Sequence, residues 1–93
     1  MKLRVKYTAQ LRTAIDRAEE VVELPAESRV TELLAHLAGL HQAGQPHLQC
    51  ASGDVPAGLL IVVNESAVSA RDASSVRLNE GDVVTLLPPI AGG

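Results

Sequence analysis

The chain opens on a strict alternation. Leu3, Val5 and Tyr7 are separated by Lys2, Arg4 and Lys6, which predicts a half-buried strand with one cationic face. Ala9 to Ala18 reads as a connection, in which Leu11 and Ile15 stand four apart and predict a helical turn covering the end of a sheet. Asp16-Arg17 then turns the chain. Glu20 to Leu24 is a second strand, stopped by Pro25, and two strands so close in sequence pair most simply as an antiparallel hairpin. Ser28 is the expected N-cap of the one substantial helix, on which Val30, Leu33, Leu34, Leu37 and Leu40 form one apolar stripe and His36 lies on its flank. Gly44 and Pro46 are read as its stop. Residues 44–58 are expected as a loop anchored by Leu48. Leu59 to Val63 is a continuous apolar strand, and Asn64-Glu65 turns it into a short strand around Ala67-Val68. After an irregular stretch, Asn79-Glu80-Gly81-Asp82 forms a turn with Gly81 available for positive φ, and Val83 to Leu87 is the last strand.

A lone helix covers one face of a sheet, so this order leaves the other face either to the loop over 44–58 or to a partner. Thr85 is the only polar residue between Val83 and Leu87. If Val84 and Leu86 face the helix, then Val83, Thr85 and Leu87 face outward and offer a partner surface.

The last strand runs straight into Pro88-Pro89-Ile90-Ala91-Gly92-Gly93. Proline fixes φ and has no backbone donor, so Pro88-Pro89 should stiffen into an extended segment that lifts a tail off the domain. Gly92 and Gly93 have no Cβ, which makes this end thin enough for its carboxylate to pass down a narrow channel of another protein. The expected division is a domain over 1–87 and a tail over 88–93.

Composition narrows the function. The 93 residues suffice for one core but not for a large interior active site. With no Trp or Phe, a single Tyr and a formal charge of −3, the chain has neither stacking platforms nor a cationic footprint for nucleic acid. A single cysteine, Cys50, fits a reducing compartment. The charged start has no apolar signal core, and no apolar run approaches a membrane span, so a cytoplasmic domain is expected. His41, His47 and Cys50 lie near one loop, but their spacing matches no common zinc pattern and no metal is expected. Glu19, Glu20 and Glu23 read as a solvated strand edge.

Several of these segments carry a family resemblance. Tyr7-Thr8-Ala9-Gln10-Leu11-Arg12 after the first strand, Val62-Val63-Asn64 at the end of another, Leu78-Asn79-Glu80-Gly81-Asp82 and the Pro-Pro-to-Gly-Gly ending resemble the ubiquitin-like sulfur carriers of the MoaD/ThiS type. The likeness spans the whole length and is closest to the branch that forms the small subunit of molybdopterin synthase. It departs at Glu65, where the family usually has Gly, and at Leu86-Leu87, where an aromatic is common.

The resemblance implies an α+β, β-grasp fold: a mixed sheet of four to five strands with one main helix on one face and the first and last strands parallel at its centre. It implies a non-catalytic small subunit that binds no cofactor of its own. An E1-like adenylating enzyme would use ATP to activate the Gly93 carboxylate, and a persulfide donor would convert it to a thiocarboxylate. The large catalytic subunit of molybdopterin synthase would then receive the tail, and sulfur would pass to a pterin precursor of molybdenum cofactor. In this scheme Gly92, Ala91, Ile90, Pro89 and Pro88 line the channel path. Leu87, Val83 and Arg12 belong to partner docking, Arg12 with an equal chance of only closing the helical turn. A carrier for thiamin, cysteine or tRNA thiolation, or a modifier joined through Gly93 to lysines, shares the same activation step and stays open.

Overall fold

The computed structural model describes residues 1–50, 52–56 and 58–89. Strands β1 (Lys2–Tyr7), β2 (Glu19–Glu23), β3 (Leu60–Val63), β4 (Ser66–Val68) and β5 (Val83–Leu87) form one sheet in the order β2-β1-β5-β3-β4. The pairs β1–β2, β3–β4 and β3–β5 are antiparallel, and the central pair β1–β5 is parallel, with Val5 opposite Val84. This is the mixed, β-grasp-like sheet expected from the sequence.

Alternation does what it should. Leu3, Val5 and Tyr7 of β1 and Val84 and Leu86 of β5 are buried on the face that receives helix α2 (Val30–Leu40). From α2 come Val30, Leu33, Leu34, Leu37 and Ala38. Helix α1 (Ala9–Ile15) closes one end of this core with Leu11 and Ile15, as their spacing predicted. Val30, Leu33 and Leu37 are fully buried, and each such side chain contributes about 1.5–3 kcal/mol relative to exposure.

Four local readings change. Leu40 is 53% exposed and leaves the stripe to Ala38, because α2 ends there and the next position on that face, four beyond Leu37, is His41. Ser28 is not the N-cap; its buried hydroxyl donates to the Pro25 carbonyl at 2.7 Å. Arg29 takes the cap position because an isolated bridge to Arg77 holds it extended, and its N–H donates to the Glu32 carboxylate at 3.1 Å. The expected loop begins as a 3-10 turn (Gln42–Gly44) and a short helix α3 (Gln45–Leu48) that buries Leu48. Gly44 lies inside this connection rather than at the end of α2: a Cβ there would stand 2.8 Å from Ile15 Cγ1, so its bareness lets the turn close on α1.

At the pole where β1 and β5 begin, Asn64 ties two turns together. Its φ of 57° makes the β3–β4 turn without a glycine at Glu65. Its amide donates to Asp82 Oδ1 at 3.2 Å and accepts the Val83 N–H at 3.1 Å, while Asp82 Oδ2 accepts the Asn79 N–H at 2.8 Å. No helix among the described residues is long and apolar enough to cross a membrane.

Candidate functional site

β1 and β5 run parallel, so both finish at the same pole, and the chain leaves the sheet there after Leu87. Three neighbours hold this exit. Thr8 Oγ1, just past β1, donates to the Leu86 carbonyl at 3.1 Å. Gln10 Nε2, on α1, donates to the Pro89 carbonyl at 2.8 Å. Gly58 lies with φ +83° against the Pro89 ring, where a Cβ would come within 3.2 Å.

These contacts alter one expectation. Pro88 is buried and Pro89 is exposed but tethered, so the prolines do not lift the chain away at Pro88. The missing donor still ends the ladder, yet an apolar ring beside a core rim gains from burial. Ile90, Ala91, Gly92 and Gly93 lie outside the described residues.

The face away from α2 carries the outward residues of all five strands. Val83, Thr85 and Leu87 of β5 are half-buried, as is Val62 of β3. Leu60 stands opposite Leu87 and is 46% exposed, and Val21 of β2 is 59% exposed. Lys2, Arg4 and Lys6 run through this surface as a cationic stripe, and Arg4 lies 3.7 Å from Glu19. Val83 and Leu87 therefore share one open face that reaches the tail exit. Arg12 does not join them; it is exposed on α1 and lines a shallow cleft with Thr13, Asp16 and Arg17.

The same pole contains a polar cluster on the covered side of the sheet. Glu20 is not the solvated edge residue expected from its neighbours: its side chain is 11% exposed. Its Oε2 accepts the Tyr7 hydroxyl and meets His41 Nε2 at 2.5 Å, and Oε1 meets Arg17 Nη1 at 3.2 Å. Burial alone would raise the Glu20 carboxyl, but the hydrogen bonds from Tyr7 and His41 and the charges of His41 and Arg17 outweigh it and hold the group below the usual carboxylate range. Burial first, and the bond to Glu20 second, push the Tyr7 phenol well above its ordinary value. His41 sits edge-on to the Tyr7 ring, with centroids 6.2 Å apart. The cluster pins the last turn of α2 to the β1–β2 hairpin.

Thr8, Gln10 and Gly58 were not singled out in the sequence. The bonds to Leu86 and Pro89 span 78 and 79 residues, and no local pattern announces a contact that distant.

A model described as the ThiS family matches residues 5–93. No curated protein sequence matches the chain. Among solved structures, SAMP1 from Haloferax volcanii has a TM-score of 0.87 and 22% identity over 100% of both chains, a likeness of fold. A protein assigned as molybdopterin converting factor, subunit 1, from Pyrococcus furiosus has a TM-score of 0.77 and 29% identity, covering 97% of this chain and 99% of its own. A chain of the Amycolatopsis orientalis BexX/CysO complex has a TM-score of 0.70 and 25% identity, covering 98% and 99%.

Proposed function

Because the chain belongs to the ThiS family of ubiquitin-like sulfur carriers and modifiers, we propose that it carries sulfur on the carboxyl carbon of Gly93 as the small subunit of molybdopterin synthase. The observation that carries this reading is the placement of β5. The central strand of the sheet, gripped on both sides by β1 and β3, continues without an intervening loop into the prolines and the Gly92-Gly93 end. A sheet-bound strand thereby delivers the chain that leads to Gly93 from a fixed pole as far as Pro89.

The chemistry follows from the carboxylate. Its oxygen is a poor leaving group, so it must be activated. A carboxylate oxygen of Gly93 attacks the α-phosphorus of ATP on an E1-like partner and releases pyrophosphate, giving an acyl-adenylate. The terminal sulfur of a persulfide then attacks the acyl carbon and expels AMP, leaving an acyl disulfide. A thiol then attacks the donor's own inner sulfur, forming a new disulfide with it, and the S–S bond breaks to leave the persulfide's terminal sulfur on the acyl carbon as the thiocarboxylate. That sulfur is soft, ionised and nucleophilic. This chain supplies no acid or base to these steps. It supplies a tethered reagent whose local concentration is set by docking, with Leu87 and Val83 on the open face beside the exit and Arg12 on α1.

Similarity to the Pyrococcus furiosus protein and the Pro-Pro spacer favour the molybdopterin role. Similarity to the chain of the BexX/CysO complex supports a second reading, a sulfur carrier for another acceptor such as cysteine, thiamin or tRNA. Intact mass of the chain purified from its own host tests the carrier role: sulfur replaces oxygen at Gly93. A chain bearing only an unmodified carboxyl, or one joined through Gly93 to lysines, refutes it. Copurification with a large molybdopterin synthase subunit separates the first reading from the second.

A further inference from the structure

We propose that Gln10 is a positioning residue that fixes the direction in which the tail leaves the body. The inference rests on the carrier reading and adds to it a side chain with a measurable task. Gln10 is anchored from below: it sits on the first turn of α1, next to Leu11, which is fully buried. Its carboxamide orientation is fixed by chemistry, since only the NH₂ group can donate to the Pro89 carbonyl at 2.8 Å. The other end is the informative one. Gln10 Oε1 is shielded from solvent and has no hydrogen-bond partner among the described residues. A glutamine serving solubility would keep both ends wet, and one serving stability would pair both. Among the described residues a desolvated acceptor accompanies the donor kept on the tail root, and such an unpaired group calls for a reason other than stability.

The backbone geometry fits that task. Pro88 and Pro89 each have a fixed φ, so the chain after Leu87 behaves as a short stiff rod. Thr8 holds the Leu86 carbonyl inside the sheet, Gly58 abuts the Pro89 ring from one side, and Gln10 holds the Pro89 carbonyl from another. Without Gln10 the rod keeps its length and loses its bearing. Fewer molecules then present the tail in a direction the activating enzyme can accept. A smaller competent fraction raises the apparent dissociation constant in proportion and leaves the bound complex unchanged.

The test uses the full chain with its cognate adenylating enzyme, read by chain-dependent ATP–pyrophosphate exchange. Gln10→Met keeps size and helix propensity and removes the donor. Gln10→Glu presents only acceptors to a carbonyl, and Gln10→Lys restores a donor. The expected result is a KM for the chain raised about three- to tenfold in Gln10→Met and Gln10→Glu, with kcat within about twofold and with Gln10→Lys near wild type. Thermal midpoints should be unchanged or higher in Gln10→Met, because the unpaired acceptor is gone. Unchanged KM in Gln10→Met, failure of Gln10→Lys to restore it, or a midpoint that falls in step with activity overturns the proposal. If the wild-type chain drives no exchange at all, the carrier reading fails separately. The clamp is then judged without a partner, by ¹⁵N relaxation of the Gly92 and Gly93 amides. Gln10→Met must increase their fast motion, and identical relaxation overturns it.

Discussion

Gly58 and Gly81 allow a matched experiment, because both hold φ at +83°. Alanine at either site puts an L-residue into the left-handed region, which costs about 1–2 kcal/mol. The unfolded chain becomes less free, which returns about 0.4–1 kcal/mol. Each variant should therefore lose about 1 kcal/mol from the backbone alone, a fall of about 4–8 °C in thermal midpoint for a domain of this size. The surroundings differ. A Cβ on Gly81 meets nothing within 4 Å, whereas a Cβ on Gly58 stands 3.2 Å from Pro89 Cβ and 3.3 Å from Cγ. Pro89 is exposed and can move by a few tenths of an ångström without disturbing the core, but that movement draws its carbonyl off Gln10. One neutral hydrogen bond contributes about 0.5–1.5 kcal/mol, so Gly58→Ala should be less stable than Gly81→Ala by up to that amount. Urea unfolding measures the difference through the midpoint at constant m-value. Pyrophosphate exchange measures its consequence, and only Gly58→Ala should raise the KM for the chain. Equal stabilities together with equal exchange kinetics in the two variants would refute the claim that Gly58 restrains the tail root.

Glu20 predicts a pH dependence of known sign. Its carboxyl is held below the ordinary range in the folded chain, so the unfolded chain takes up a proton first as pH falls. The stabilisation is complete above the ordinary carboxylate value, about 4.3, and is lost as pH drops through the depressed folded value. Hydrogen bonds to a charged group of this kind contribute about 1.5–3 kcal/mol. Stability measured between neutral and acidic pH should fall faster in wild type than in Glu20→Gln, and parallel curves would contradict the assignment. Asn64→Ala removes both side-chain bonds to the Asp82–Val83 segment and the residue best suited to a left-handed turn. It should cost about 2 kcal/mol, read by urea unfolding, and a loss under about 0.5 kcal/mol would show that the latch between the two turns is idle.

Much of the architecture was legible because it is periodic. The two-residue alternation of β1 and the stripe from Val30 to Leu37 state which faces are covered, and the Leu11–Ile15 spacing marks α1. Gly81 announced its positive φ by standing in a polar turn. Legibility ended where a residue's fate depends on a distant partner. Glu20 has two glutamates nearby and looks solvated, but its place opposite Val5 turns it toward Tyr7 and His41. Ser28 has the chemistry of a cap, yet the bridge from Arg29 to Arg77 moves the helix start by one residue. The tail's glycines were visible as a motif, whereas the grip on its root was not. Gln10 and Pro89 come together only once β5 has taken its place beside β1.

That late arrival has a bearing on biosynthesis. A ribosome delivers β5 after the other four strands, yet it is the strand on which both halves of the sheet depend. Until it is threaded between β1 and β3, the nascent chain has two open edges and an unfilled interior. A prematurely terminated copy is left with no way to close its core, and cellular proteases can remove it. Only polypeptides translated through β5 can close the core, so a copy cut short before Val83 stays open to removal.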